Sequence, residues 1–196
     1  MALGLNAGMY QQDISDLLNS QVDWEQGYVD RPRPKTHVRA RHKLWAITLE
    51  LMKKHRCPSA GPDERVLLSN IYLNQQGQAH VRGSMKPLPL VRRIIRDGKY
   101  CHTDVIKNMF DKLLKKVGIE GGRGFSSLRD MGATLIEQID PAVTEMYLSH
   151  SEPCMKRHYA ERDWARLERA LLEMEKRLGD VLTAQTSASD APVGQS

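Results

Sequence analysis

The sequence lacks the features that mark several protein classes. No apolar run approaches the roughly 18 residues of a membrane-spanning helix, so no membrane association is expected. No basic region followed by an apolar stretch opens the chain, so the secretory-signal pattern is missing. There are only three cysteines, Cys57, Cys101 and Cys154, and they lie far apart. An odd number without Cys-x-x-Cys spacing fits reduced thiols in a cytoplasm better than a disulfide framework. Gly121-Gly122-Arg123-Gly124 is too short and wrongly spaced for a phosphate-cradling P-loop. There is no cluster of carboxylates of the kind that holds a metal, and no internal repeat. No metal and no cofactor are expected.

What is present is a chain of 196 residues, enough for one domain. A domain of that size buries roughly two-thirds of its unfolded surface. Charge is unevenly placed. From Arg31 to Arg129 there are 22 Lys and Arg against 7 Asp and Glu, a net +15, whereas the whole chain carries +5, leaving −10 for the flanks. A basic block of this size is an electrostatic footprint for a polyanion, most commonly nucleic acid. A solvated basic surface is the plainer alternative.

Local patterns divide the chain. Asn6 to Leu18 reads as one short helix with Ile14, Leu17 and Leu18 inward. Val22 to Leu44 reads as a small antiparallel sheet, with a turn at Glu25-Gln26-Gly27. The prolines of Arg31-Pro32-Arg33-Pro34-Lys35-Thr36 belong to an edge or a loop tip. Arg39, Arg41 and Lys43 then alternate to one face of a third strand, an arrangement that also guards an edge against aggregation. Ala46 to His55 is helical, with cations at its C-terminal end. Cys57 to Glu64 is a loop, Val66 to Leu68 a brief strand or buried segment, and 74–77 and 82–89 irregular.

Thr103 is the expected N-cap of a helix whose apolar positions are Val105, Ile106, Met109, Phe110, Leu113, Leu114 and Val117. Gly118 ends it. Ser127 and Asp130 have capping-box spacing, and Leu128, Met131, Leu135 and Ile139 form one helix face. Gly132 lets another element approach closely. Asp140-Pro141 restarts a helix with Val143, Met146 and Tyr147 inward. His150 follows it, and Met155 to Tyr159 reads as helical again. Trp164, Leu167, Leu171, Met174, Leu178 and Val181 form a heptad seam, either packed in cis or docked on a neighbouring subunit. Residues 184–196 are expected to be a disordered tail behind a domain of residues 1–183. The whole is an α+β fold, mostly α-helical, with a small antiparallel β-sheet.

Arg129, His150 and Tyr159 lie along one span, and a separate basic hairpin carries Lys35. Each residue alone has an ordinary explanation: a surface arginine, a helix cap, a core tyrosine. Together they suit a phosphodiester. Leu128-Arg129-Asp130-Met131-Gly132-Ala133-Thr134-Leu135 resembles the L-R-H-x-x-A-T-L helix of tyrosine recombinases, the phage integrase family. Leu148-Ser149-His150-Ser151 resembles that family's L-G-H-S turn, and Tyr159 follows His150 by nine positions, the family's spacing to its nucleophile. Arg33-Pro34-Lys35-Thr36 with Val38-Arg39 resembles its lysine-bearing hairpin. Ala7-Gly8-Met9-Tyr10-Gln11-Gln12-Asp13-Ile14 is similar to its T-G-L-R-x-x-E-L helix. The likeness spans about residues 4–165.

The resemblance implies a tyrosine recombinase catalytic domain acting in site-specific DNA recombination and integration of mobile DNA. Tyr159 would attack the scissile phosphate and form a 3′-phosphotyrosyl link. Arg129 and His150 would hold the phosphate, and Lys35 would protonate the departing 5′-oxygen. Arg33, Arg39 and Arg41 would contact DNA. The partner would be double-stranded DNA, and the assembly a homo-tetramer on paired sites joined through helix 164–181, in the cytoplasm with the nucleoid. Two positions depart from the pattern. Tyr10 stands at the first arginine, and Ser126 where histidine or lysine is usual. Arg33, Arg39 and Arg41 are the candidate substitutes. Family members also carry an N-terminal DNA-clamping domain, so the resemblance implies a catalytic domain incomplete at its N-terminus, a fragment or remnant of a mobile element. The rival expectation is a DNA-binding remnant of an integrase that no longer cuts. A type IB topoisomerase shares the chemistry but fits the box and hairpin less well.

Overall fold

The computed structural model describes residues 1–32, 38–57, 61–73, 79–81, 87–96, 99–150 and 162–189. The fold is α+β and mostly helical. Helices α1 (Ala2–Asn6) and α2 (Gln11–Ser15) precede a three-stranded antiparallel sheet of β1 (Val22–Asp23), β2 (Tyr28–Pro32) and β3 (Arg39–Lys43). Helix α3 (Ala46–His55) follows. Short antiparallel pairs come next: β4 (Leu68–Ser69) with β7 (Leu88–Pro89), β5 (Ile71–Leu73) with β6 (Ala79–Val81), and β8 (Val91–Arg96) with β9 (Lys99–Asp104). The remainder is helical: α4 (Val105–Lys116), α5 (Ser126–Ile139), α6 (Thr144–Tyr147) and the long α7 (Trp164–Ser189). Helix α7 thus extends past Thr183.

Two apolar clusters flank α1. Leu3, Met9, Leu17, Val29, Met52, Val66, Phe110 and Phe125 form one. Leu5, Trp45, Ile136, Val143, Tyr147, Leu167, Leu171 and Met174 form the other. Successive odd residues of α1 therefore feed different cores. Between them Asn6 is fully buried and satisfied on both sides: its amide donates to the Lys43 carbonyl (3.0 Å) and accepts from Trp45 N–H (2.9 Å). A buried amide left unpaired would cost about 1–3 kcal/mol, so this residue fixes how α1 meets the end of β3.

The seam of α7 packs in cis. Leu167, Leu171 and Met174 are buried against Trp45, Ile136 and Tyr147. Polar contacts lock the docking. Trp45 donates its indole N–H to the Leu171 carbonyl (2.8 Å), and Glu175 accepts from Ala46 N–H at the start of α3 (2.8 Å). Tyr28 donates to Glu168 (2.6 Å).

Several sequence expectations change. Within Asn6 to Leu18 only Gln11–Ser15 is α-helical: α1 ends at Asn6, and Gly8, with φ +57°, lies in the break before α2. Thr103 lies in β9 opposite Arg92, and the cap of α4 passes to Asp104, whose carboxylate accepts from Lys107 N–H (2.8 Å). Ser127 makes no capping box with Asp130; its hydroxyl donates to the Gly124 carbonyl (2.7 Å). Met109 and Val117 of α4 are exposed, leaving Phe110 buried and Ile106 and Leu114 half-buried. On α5 the buried face is Arg129, Gly132 and Ile136, one position round from the expected apolar set, and Met131 is exposed. The stretch 82–89, expected to be irregular, contributes β7 at its end. Residues 74–77 and Met155–Tyr159 lie outside the described residues, as do 190–196 of the expected tail.

Gly132 does admit a neighbour. A Cβ there would sit 1.9 Å from the Tyr147 hydroxyl oxygen and 2.9 Å from the Leu5 carbonyl oxygen. Gly132→Ala is expected to destabilise the protein by about 1–3 kcal/mol through overpacking. Gly179→Ala, where nothing lies within 4 Å, should instead stabilise it by about 0.5–1 kcal/mol through helix propensity. Urea denaturation of the two variants beside the parent checks both signs.

Candidate active site

Arg129 faces inward from the first turns of α5 and is 3% exposed. Its guanidinium is satisfied by backbone. Nη1 donates to the Gly8 carbonyl, and Nη2 to the Leu148 carbonyl (2.6 Å). Nη2 also lies 3.4 Å from His150 Nε2. A carboxylate only accepts, so His150 donates its Nδ1–H to Glu145 (3.0 Å) and turns Nε2 toward Arg129. Glu145 thereby fixes the imidazole orientation. Tyr10 covers the guanidinium, its ring centroid 4.6 Å from the central carbon of Arg129, within cation–π range.

Beside Arg129 lies a small recess, open to solvent, whose lining includes the small residues Ala7, Gly8, Ala40 and Ser149. Ser149 has φ +52°, in the left-handed region that glycine favours. Glycine stands at that place in the L-G-H-S turn. Asp13, Arg31, His42 and Arg129 supply the polar lining. Arg31, on β2, is 4% exposed and holds Asp13 twice, through Nη1 to its carbonyl (2.6 Å) and Nη2 to its carboxylate (3.0 Å).

His42 is buried on β3. Its Nε2–H donates to the Tyr147 carbonyl (3.0 Å), and its Nδ1 has no partner among the described residues. Burial pushes its pKa down to about 4; the Tyr147 hydrogen bond opposes that shift, and Arg129 and Arg31 add to it. The tyrosine itself is held by its hydroxyl, which donates to the Leu5 carbonyl (2.7 Å), and burial pushes its pKa up.

Of the residues expected from the sequence, the structure brings Arg129, His150 and Tyr10 together. Ser126 opens α5 and is exposed. Arg39 and Arg41 are on the face of β3 opposite Ala40 and His42. Arg39 pairs with Asp30, and the Arg41 guanidinium lies 4.5 Å from the Tyr28 ring centroid. Neither is among the residues that line the recess. Arg33, Lys35 and Tyr159 lie outside the described residues. Arg31, His42, Glu145 and Arg162 were missed by sequence reasoning. The period-two pattern carried a signal for the first two. Val29 and Arg31 share the inward face of β2, and Ala40 and His42 that of β3. Arg162 bridges two elements, donating to the Arg39 carbonyl (3.0 Å) and the His150 carbonyl (3.1 Å).

Among the described residues no group of three His, Cys, Asp or Glu side chains could hold a metal ion, and no helix is long and apolar enough to cross a membrane.

No family model matches the sequence, and no curated protein matches it. Solved structures do. The integrase from mycobacterium phage Brujita superposes with a TM-score of 0.52 at 12% identity, over 86% of this chain and 48% of that one. XerA recombinase gives a TM-score of 0.48 at 16% identity, over 90% and 55%. The Tn1549 transposon integrase, in complex with a circular intermediate DNA, gives 0.46 at 14% identity, over 89% and 56%. The chain therefore spans about half the length of the solved structures it matches. At 12% identity the first likeness is one of fold: the chain shares the α+β architecture of that phage integrase.

The His42 titration has a defined sign. Its folded value, about 4, is below the ~6.5 of an unfolded histidine. The unfolded state therefore binds the extra proton between these values. The contribution is whole above pH 6.5 and is lost as pH falls to 4, by up to about 3 kcal/mol. Urea denaturation across pH 4–7 should show that loss, with a flatter slope in His42→Gln, which keeps a donor for the Tyr147 carbonyl.

Proposed function

We propose that this chain acts on DNA as a site-specific recombinase or integrase, cleaving and rejoining strands through a 3′-phosphotyrosyl intermediate. The observation that carries the reading is the placement of Arg129. A guanidinium is drawn into the protein from α5, fixed by two carbonyls, set 3.4 Å from His150, and placed at the wall of a small recess. Such a preorganised pair suits a phosphodiester whose charge grows in the transition state. The excess of basic residues from Arg31 to Arg129 suits the surrounding duplex.

In this mechanism the Tyr159 oxygen attacks phosphorus, the bond to the 5′-oxygen breaks, and Lys35 gives that oxygen its proton. Arg129 and His150 hold the non-bridging oxygens. The phosphotyrosyl link conserves the bond energy, so a 5′-hydroxyl from another strand can reverse the step and release the tyrosine. Tyrosine has a reference pKa near 10, and neighbouring guanidinia favour its anion. Described residues near each in sequence meet the site. Arg162, three residues after Tyr159, binds the His150 and Arg39 carbonyls, and Arg31, four residues before Lys35, lines the recess. Arg33, Arg39 and Arg41 serve the flanking backbone. A tetramer on paired sites would need contacts beyond the α7 residues that are buried in cis.

A second reading is favoured by Tyr10 and Ser126, which place no cation at two positions of the motif. It is a DNA-binding remnant of a mobile-element integrase whose chemistry has lapsed. A nicked duplex that traps cleaved product separates the two. The recombinase forms a covalent protein–DNA adduct on a denaturing gel, and Tyr159→Phe forms none. Absence of adduct from the parent chain, with salt-sensitive DNA binding intact, establishes the remnant instead.

A further inference from the structure

The motif that this chain resembles has its first arginine where Tyr10 stands, yet the recess holds a second guanidinium from a different element. Arg31 enters it from β2 and Arg129 from α5. We propose that Arg31, oriented by Asp13, is the second guanidinium that grips the phosphodiester beside Arg129, a role that rests on reading the recess as a phosphate site.

Three observations carry this. Arg31 is almost fully buried although it belongs to a strand that leads to a proline-flanked hairpin, where an arginine would ordinarily reach for solvent. Its orientation is fixed at two points by one residue, through the Asp13 carbonyl and carboxylate. The other carboxylate oxygen of Asp13 accepts from Tyr10 N–H (3.1 Å) at the start of α2. The same carboxylate thus braces the helix and aims the guanidinium.

The residues that line the recess also carry more positive than negative charge. Arg31 and Arg129 face one carboxylate, Asp13, while His42 is neutral above its depressed pKa. Tyr147 and Glu145 do not change this. The first is protonated and turned to Leu5, and the second is engaged with His150. A phosphate entering the recess would meet two guanidinia against one carboxylate, a balance that favours an anion. Arg39 and Arg41, the substitutes expected from the sequence, are on the other face of β3.

The position also has mechanistic sense. Arg31 precedes Lys35 by four residues on one hairpin, so a single element would deliver both the phosphate clamp and the leaving-group acid. An arginine fork from a strand thereby replaces one from a helix, with Asp13 kept as its orienting partner.

The test uses the full chain with two probes. On the nicked duplex, Arg31→Met is expected to slow adduct formation about 10²-fold or more while changing DNA affinity less than about threefold, and Arg31→Lys, which keeps charge without the fork, to recover only part of the rate. With inorganic phosphate against chloride at equal ionic strength, the parent's melting temperature should rise and that rise should be lost in Arg31→Met. Should Arg31→Met not fold, the double variant Asp13→Asn/Arg31→Met removes both buried charges together and is read in the same two assays. A phosphate response equal to the parent's, or a cleavage rate that falls only in step with the folded fraction, makes the Arg31–Asp13 pair a structural tie and overturns the proposal. If the parent forms no adduct but the phosphate response depends on Arg31, the anion site stands and the recombinase reading fails.

Discussion

A guanidinium inside a protein must have its donors met, and the burial of Arg129 sets the terms for everything around it. Its two main acceptors are the carbonyls of Gly8 and Leu148, which belong to chain segments 140 residues apart in sequence. Meeting them draws the N-terminal segment and the turn before His150 onto one side of α5. The same closeness forces Gly132 to lie against Tyr147, because no side chain fits there. Tyr147 in turn holds the His42 ring through its carbonyl and the end of α1 through its hydroxyl. Removing one cation would therefore loosen four elements, and the site and the second core share a single constraint.

Much of the architecture was legible because local chemistry and tertiary packing agreed. The bounds of α3, the restart at Asp140-Pro141 and the α7 seam follow from periodicity and capping. Asp140 accepts from Ala142 N–H, as its position before proline suggests. Disagreement arose where distant contacts overrode local preference. The apolar positions of α5 suggested one inward face, but backbone acceptors near Arg129 made a charged residue the better one to bury. Thr103 has the chemistry of a cap, yet pairing in β9 claimed it first. The β8–β9 hairpin escaped notice because Val91-Arg92-Arg93-Ile94-Ile95-Arg96 does not alternate; the Asp97-Gly98 dipeptide after it was the available cue. In the site, residue types flagged Arg129 and His150, whereas Arg31 was read as part of a basic edge. Its place two residues after Val29 was the sign that it turns inward.

The uneven charge of the sequence also takes on a structural meaning. Part of the acidic flanks meets the basic block directly. Asp13 and Asp16 pair with Arg31 and Arg65, and Glu175 of α7 sits at the first N–H of α3. Such pairing holds the termini against the sheet. It also removes some positive charge from any polyanion surface, so the basic excess in the sequence overstates what is presented to solvent. What remains outward, including Arg41 stacked on Tyr28, is spread over faces distinct from the recess. Under the proposed function, contact with the DNA backbone and phosphate chemistry would fall on two sides of the same strand.

Trp45, Glu175 and the buried seam of α7 fasten the last helix to its own domain. These contacts bury Leu167, Leu171 and Met174 within the chain's own second core. Under the proposed function, association would take the DNA as its template. A duplex with two adjacent sites would set both the number of copies and their order, making the length and spacing of the nucleic acid, rather than protein concentration, the variable that governs when molecules meet.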